Sequence, residues 1–184
     1  TYNDIRDAFV DYICKLPEGG QCIYCADDAG AVETAGLAKT RRGDIQFIPY
    51  GEKARGDYCL TFEKVSDERN RFSMKLLGSL ELRVPGKHEV RDACAAAALV
   101  CELLKTDGKN PADYISQIRK GLENFAGGKR RSEIIGKANA GSNSVVFIDD
   151  YGHHPTAIRT TLAGYRETYS GSKNIIDFMS NTYT

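Results

Sequence analysis

The 184-residue chain has no excess of charge of either sign and no long apolar run. Its 25 basic residues balance 25 acidic ones, so it offers no general electrostatic attraction for nucleic acid or for an anionic membrane. No apolar stretch approaches the roughly 20 residues of a membrane-spanning helix, and no signal segment is visible. We therefore expect a globular protein that neither binds nucleic acid nor inserts into a membrane.

Three common catalytic or nucleotide-binding motifs are also missing from the sequence. It contains no G-x-x-x-x-G-K-[ST] phosphate loop, no G-x-G-x-x-G fingerprint and no nucleophile elbow around a serine. The chain by itself therefore cannot hold a triphosphate in the usual way. Because it begins with Thr1 and ends directly after an apolar run, we interpret it as part of a longer protein and expect the isolated chain to be inactive.

The six cysteines lack the spacing of a disulfide framework, which predicts reduced thiols and a cytoplasmic location. Cys22 and Cys25 form a C-x-x-C, but residues i and i+3 of a strand point to opposite faces. No second C-x-x-C follows to complete a zinc site. We interpret both cysteines as small buried residues of a strand rather than as metal ligands or a redox pair.

Hydrophobic periodicity predicts an α/β fold. Helical and strand-like segments alternate over the first fifty residues, which is typical of a mostly parallel sheet. Three β-prone runs between residues 57 and 84 predict antiparallel hairpins. An alanine-rich helix is predicted over residues 86–104, and Asn110-Pro111 indicates the start of another helix that runs to about Glu123.

The pair Gly127-Gly128, followed by three cations, is the best candidate for a domain boundary. We therefore divide the chain into residues 1–126 and residues 127–184. The second part has the pattern of two strands, a helix and a further strand, which indicates the start of a β-α-β unit. The predicted segments are, in order, 131–137, 144–149, 157–169 and 174–179.

The stretch 145–156 carries the most chemically informative pattern and reads V-V-F-I-D-D-Y-G-H-H-P-T. Four apolar residues lead into two carboxylates and two of the three histidines of the chain, and Pro155 then opens a helix. This order places the polar loop at the carboxyl end of a strand and at a helix N-terminus. Proteins with open α/β sheets bind ligands at that edge, and helix N-termini favour anions there.

Two other polar groups could complete a nucleotide pocket with this loop. His88 and Asp92 lie at the start of the alanine-rich helix, where they can face a nucleobase. The Lys129-Arg130-Arg131 run can bind phosphates, and a carboxylate after a strand often binds ribose hydroxyls. Two alternatives stay open: a metal-dependent hydrolase at the Asp-x-x-x-His-His spacing, and a non-catalytic nucleotide-binding module. Adjacent loop residues rarely point at one ion, which argues against the metal site.

The loop D-D-Y-G-H-H-P-T resembles the signature loop of the Mur ligases, and other segments resemble the same family in the same order. These are T-Y-N-D at 1–4, C-A-D-D at 25–28, V-P-G-K-H at 84–88, F-A-G-G-K-R-R at 125–131 and the stretch 174–184. The resemblance covers the whole chain. It implies the later part of the family's central ATPase domain, with a mixed sheet and helices, followed by the beginning of a Rossmann-like C-terminal domain.

The resemblance also implies an activity for the intact protein. In this family ATP, with Mg²⁺ bridging its phosphates, converts a carboxylate into an acyl phosphate that the amino group of an amino acid attacks. The chain is similar to the members of peptidoglycan precursor synthesis that join L-alanine to UDP-N-acetylmuramate. A tripeptide ligase of the same family and a folylpolyglutamate-synthase-like ligase are the alternatives.

The resemblance assigns roles to seven residues and implies no metal ligand among them. Arg131 and His154 would be the catalytic residues. The implied nucleotide contacts are His88 and Asp92 at the adenine, Arg130 and Arg131 at the phosphates, Asp150 at the ribose, and His153 and His154 at the border of the nucleotide.

The chain departs from the family pattern in three places. The pattern H-N-x-x-N reads His88-Glu89-Val-Arg-Asp92, and an ionised aspartate can accept a hydrogen bond from adenine but cannot donate one. Ser132 stands where a phenylalanine usually follows the second arginine. The pattern P-H-R-Y reads Ser-Asn-Thr-Tyr at 180–183, so the resemblance does not determine which amino acid is added.

Overall fold

A computed structural model of the chain describes residues 1–65, 69–84, 86–141 and 143–172. The strand predicted over 174–179 lies outside these ranges. None of the helices within them is both long enough and apolar enough to cross a bilayer. The elements are, in chain order, α1 (Tyr2–Ile13), β1 (Gln21–Cys25), α2 (Ala29–Arg41), β2 (Gln46–Tyr50), β3 (Leu60–Val65), β4 (Asn70–Met74), β5 (Gly78–Leu82), α3 (Lys87–Thr106), a 3-10 turn (Pro111–Tyr114), α4 (Ile115–Asn124), β6 (Glu133–Ala140), β7 (Asn143–Asp149) and α5 (Pro155–Thr168).

The strands β1 and β2 form a parallel pair in which Ile23 lies opposite Ile48. Parallel strands need a crossover connection, and α2 supplies it. The Asp28 side chain starts α2 by accepting a hydrogen bond of 2.7 Å from the Ala31 amide, as expected of an aspartate N-cap. The alternation predicted for the first fifty residues is therefore confirmed.

The next three strands form an antiparallel sheet in the order β3-β4-β5, which confirms the predicted hairpins. Phe72 on β4 lies opposite Leu80 on β5. A parallel bridge between Gly51 and Cys59 connects the end of β2 to the residue before β3. The two groups of strands therefore adjoin each other, as the predicted mixed sheet requires.

Helix α3 packs its alanine-rich face on these sheets and completes the main hydrophobic core. The small side chains of this face let the helix lie close to the strands, so packing explains the run of alanines. The buried members of this core all lie between Tyr58 and Cys101, and partly buried side chains from Ile23 to Leu122 surround them. The core is therefore contained in the part of the chain that precedes Gly127.

The second predicted helix begins later than expected. Asn110 caps the segment by accepting a hydrogen bond of 3.2 Å from the Ala112 amide, but Pro111 opens a 3-10 turn rather than an α-helix. Tyr114 has φ −113° and ψ 7°, outside the α-helical region, so the α-helix proper starts at Ile115.

Asp27 joins the ends of β1 and β2 to α3. Its carboxylate accepts hydrogen bonds from the amides of Glu52 at 3.0 Å and Lys53 at 2.8 Å. The Arg91 Nε atom lies 3.4 Å from the same carboxylate. Although burial opposes ionisation, these bonds lower the pKa of Asp27. A Cβ atom on Gly51 would lie 2.5 Å from Asp27 Oδ2, so only glycine fits beside the carboxylate.

The strands β6 and β7 form an antiparallel hairpin, and α5 follows them. Helix α5 packs against α3, and its buried residues are Thr161, Gly164 and Thr168. Their spacing places all three on one face of the helix. This contact brings the loop that precedes α5 towards the N-terminus of α3.

Candidate functional site

His88 lies in the first turn of α3, at the start of the helix predicted over residues 86–104. Gly86, directly before the helix, has φ 102°, and a Cβ atom there would lie 2.6 Å from His88 Cε1. Glycine therefore allows the backbone to pass against the imidazole ring. The His88 side chain is 28% exposed, and its Nδ1 atom is buried without a hydrogen-bond partner. Burial lowers the pKa of His88, which keeps the ring neutral at pH 7.

Two carboxylates share this end of α3. The Glu89 side chain is 15% exposed, and its Oε1 atom lies 3.6 Å from His88 Nε2. Burial raises the pKa of Glu89, the negative charge of Asp92 adds to the rise, and Arg131 opposes it. Lost hydration also raises the pKa of Asp92, against the effects of His88 and Arg131. Both carboxylates are therefore less readily ionised than in water.

The two arginines of the cationic run have different surroundings. Arg130 and Ser132 adopt left-handed conformations with φ of 56° and 51°, and Arg131 lies between them. The Arg130 guanidinium lies 4.8 Å from the centre of the Tyr151 ring, and its Nε atom lies 3.5 Å from Asp149 Oδ2. Arg130 therefore contacts its own hairpin and loop, whereas the charge of Arg131 acts on the carboxylates of α3.

Asp150 connects the loop after β7 to the turn formed by Arg130, Arg131 and Ser132, which we call the arginine turn. Its Oδ2 atom accepts hydrogen bonds from the Ser132 amide at 2.9 Å and from the Ser132 hydroxyl at 3.5 Å. Next to these bonds, the Tyr151 amide donates a hydrogen bond of 2.7 Å to the Arg130 carbonyl oxygen. The negative charge of Asp150 raises the pKa of Glu89 and acts in the same direction on His88. The turn and the loop therefore form one unit that faces α3.

The two histidines of the loop form hydrogen bonds with residues that are close to them in the sequence. His153 Nδ1 lies 3.0 Å from the Tyr151 carbonyl oxygen, and His154 Nδ1 accepts a hydrogen bond of 3.3 Å from the Thr156 amide. His154 is thereby the N-cap of α5. Among the residues that the structure describes, no three histidine, cysteine or acidic side chains are grouped so as to hold a metal ion. Each ring thus has a local role, and no observation favours the hydrolase alternative.

The structure brings together four of the seven predicted site residues: His88, Asp92, Arg131 and Asp150. Arg130, His153 and His154 lie on the adjoining loop and turn. Two residues at the site were not predicted to belong to it. These are Glu89 and the buried Ser132, and both occupy positions at which the chain departs from the family pattern.

Comparison with known proteins gives whole-chain relatives, although no family model matches the chain. It is 39% identical over 186 aligned positions to the UDP-N-acetylmuramate--L-alanine ligase of Treponema pallidum. It is 31% identical to the ligase of the same name from Borrelia garinii. Both alignments include 100% of this chain, which spans 38% of the length of each relative.

Solved structures share the fold. MurF from Acinetobacter baumannii matches 90% of this chain and 33% of its own, with a TM-score of 0.69 and 27% identity. The UDP-N-acetylmuramate-alanine ligase MurC from Thermotoga maritima matches 82% and 39%, with a TM-score of 0.55 and 21% identity. A complex of FPGS with AMPPCP matches 90% and 39%, with a TM-score of 0.66 and 15% identity. The whole-chain identities and the shared fold together show that the chain belongs to the Mur ligase family.

Proposed function

We propose that the chain is a segment of an ATP-dependent ligase of peptidoglycan precursor synthesis that joins L-alanine to UDP-N-acetylmuramate. The observation that carries this proposal is the 39% identity, over the whole chain, to a relative named for that reaction. Since the chain spans 38% of that relative's length, the complete reaction would also require the residues that the relative carries elsewhere.

Within this enzyme, the cluster at the N-terminus of α3 would form one wall of the ATP site. His88 and Asp92 would contact the adenine, and Asp150 would contact the ribose. The neutral His88 ring supports this assignment, because an uncharged, half-buried imidazole can stack or bond with a base without the cost of burying a charge. The similarity in fold to a protein in complex with AMPPCP, an ATP analogue, supports nucleotide binding but not the roles of individual residues.

Arg131 would stabilise the charge that develops as the terminal phosphate passes to the substrate carboxylate. A fixed guanidinium beside a transferring phosphoryl group lowers the barrier because it meets the charge of the transition state. Arg130 would bind beside it. His154 caps α5, and with His153 it would border the nucleotide at a helix N-terminus, where the helix dipole favours negative charge.

Magnesium would reach this wall with the nucleotide. Mg²⁺ at such sites is held mainly by substrate phosphates and water with one or two carboxylates, and no group of three potential ligands is found among the described side chains. When bound, Mg²⁺ would neutralise phosphate charge, and this chain would supply the contacts to base, ribose and terminal phosphate.

We also propose the domain division between residues 126 and 127. The main hydrophobic core includes no buried residue beyond Cys101 among those described, and its partly buried neighbours end at Leu122. Gly127 follows a few residues later, and its φ of 94° is a backbone conformation that glycine adopts readily. Residues 1–126 would belong to the central ATPase domain, and residues 127–184 would begin the C-terminal domain.

A chimaera tests the proposed reaction. The aligned segment of the Treponema pallidum ligase would be replaced by this chain, and release of ADP would be measured with UDP-N-acetylmuramate and L-alanine. We expect turnover that requires both substrates, and Arg131→Ala should reduce kcat by about a hundredfold or more. Arg119→Ala, an exposed arginine on α4, is the matched control and should leave turnover unchanged.

Three results would contradict the proposal. The first is a folded chimaera that does not turn over, and the second is one that accepts a tripeptide but not L-alanine. The third is tight binding of zinc by the chain that His153→Ala abolishes, which would favour the hydrolase alternative. Circular dichroism of the chimaera separates a failure to fold from a failure to react.

A further inference from the structure

Helix α5 meets the start of α3 through two glycines. A Cβ atom on Gly164 would lie 3.1 Å from the Gly86 Cα atom and 3.8 Å from the Gly86 nitrogen. The same Cβ atom would lie 3.9 Å from His88 Cε1. The nearest neighbours are backbone atoms, which cannot rotate aside as the end of a flexible side chain can. An alanine at position 164 would therefore require the Gly86 backbone to move by a few tenths of an ångström, and a larger side chain would require a larger movement.

The helical conformation of α5 does not explain why a glycine occupies position 164. Glycine in the interior of a helix is unfavourable relative to alanine because it loses more backbone freedom on folding. Gly164 lies within Pro155–Thr168 and is buried between two other buried residues of the same face, Thr161 and Thr168. The close approach to Gly86 accounts for the missing side chain.

The same contact determines how far the arginine turn lies from α3. Asp150 precedes α5 by a short loop, and its carboxylate holds Ser132, the residue after Arg131. A shift of α5 away from Gly86 would therefore carry Asp150 and Arg131 away from His88. The ion pair between the helices is weak, since Lys87 Nζ and Glu167 Oε1 are 4.0 Å apart and both side chains are about half exposed.

We propose that Gly164 is a positioning residue: by admitting the Gly86 backbone, it holds α5 against α3 so that Arg131 and Asp150 face His88 and Asp92. The importance of this arrangement for catalysis rests on the proposed function. The positioning role of Gly164 does not rest on the proposed function, because the position of α5 changes the surroundings of His88 whether or not a nucleotide binds.

The titration of His88 in the intact chain tests the geometry without any ligand. The charged groups that face its ring are Glu89, Arg91 and Asp92 on α3, and Asp150 on the loop before α5. Burial is the largest influence and lowers the pKa, whereas Asp150 acts in the opposite direction. Moving α5 away would hydrate the ring and also remove Asp150, and the larger influence predicts a net rise towards the ordinary value of about 6.5.

The variants are Gly164→Ala and Gly164→Val, with Gly36→Ala in α2 as the matched control because its Cβ atom would meet nothing within 4 Å. Proton NMR would follow the three imidazoles of the chain, with His153→Ala and His154→Ala used for assignment. We expect the pKa of His88 to rise in Gly164→Ala and to rise further in Gly164→Val. The control should keep the wild-type pKa of His88.

An unchanged His88 titration in a folded Gly164→Val variant would overturn the proposal. Circular dichroism establishes whether that variant is folded; if it is not, an unchanged titration in the milder Gly164→Ala variant has the same meaning. The catalytic part is measured in the chimaera, where Gly164→Val should lower kcat more than tenfold with a smaller change in KM for L-alanine. A shifted titration in a chimaera without ligase activity would contradict the proposed function and leave the positioning role standing.

Discussion

His88 and Glu89 are neighbours whose pKa values shift in opposite senses for the same reason, because burial favours the neutral form of each. Folded His88 binds a proton less readily than unfolded histidine. Its contribution to stability is therefore present above the ordinary pKa and is lost as the pH falls below it. Folded Glu89 binds a proton more readily, so its contribution is present at acidic pH and is lost as the pH rises through the folded-state pKa.

Replacing Glu89 with glutamine should therefore stabilise the chain at neutral pH. The amide keeps the shape of the side chain and removes a half-buried charge whose hydration folding reduces. We expect Glu89→Gln to raise the free energy of unfolding at pH 7, with a gain that shrinks as the pH approaches 4. Urea denaturation at both pH values measures this difference, and Glu18→Gln, in the exposed turn after α1, is the control. A gain that is equal at both pH values would contradict the explanation.

The two loop histidines should differ in their effect on stability. His154 caps α5, whereas His153 contacts the Tyr151 carbonyl group and ring within the loop. Removing an N-cap side chain costs on the order of 1 kcal/mol because a helix amide loses its partner. We expect His154→Ala to lower the free energy of unfolding by about that amount and His153→Ala to lower it less. Equal losses in thermal or urea unfolding would show that the cap is not the reason.

At the scale of helices and strands, periodicity predicted most of the described elements, with boundaries that differ by a few residues. The parallel pair and the three antiparallel strands follow from alternation, β-prone runs and turn residues. The 3-10 turn before α4 does not follow from them, because Asn110-Pro111 indicates a helix start but not which kind of helix begins there. Local sequence patterns therefore predicted which helices and strands form better than they predicted the residue at which each one begins.

The candidate site was less predictable than the elements that carry it. Sequence indicated His88, Asp92, Arg131 and Asp150, but their gathering depends on the approach of α5 to Gly86, which is a tertiary contact. The left-handed conformations of Arg130 and Ser132 had no glycine to indicate them, although they give the two arginines different partners. The hydrogen bond between Ser132 and Asp150 likewise could not be predicted, because it forms only where the loop and the turn come together in the fold.

The central antiparallel strand should be the element most sensitive to loss of packing. Phe72 is fully buried on β4 and belongs to the main core. Truncating a buried phenylalanine costs about 3–5 kcal/mol because it removes apolar contacts and leaves a cavity. We expect Phe72→Ala to lower the free energy of urea unfolding by that amount, and Lys75→Ala, in the exposed turn after β4, to change it little. A loss below about 1 kcal/mol would mean that β4 does not hold the core together.

For the whole molecule, the placement of the core predicts independent folding of the first part. Residues 1–126 contain the buried core cluster and the helices and strands that surround it. We expect residues 1–126, produced alone, to unfold cooperatively with a Tm within a few degrees of the complete chain. Circular dichroism measures both transitions. A polypeptide that unfolds without a cooperative transition would show that the later hairpin and α5 are needed for the fold.

The containment of the core before Gly127 also has a consequence for the opening motions of the native state. The hairpin of β6 and β7 leaves large apolar side chains exposed, including Ile135 at 64% and Phe147 at 50%, and so has little buried surface to resist local opening. Amide hydrogens of this hairpin should exchange with deuterium well before those of β4 and α3. The amide of Ser132, held by Asp150, should exchange with the hairpin group. Two exchange populations, divided near Gly127, would then mark two cooperative units within one chain.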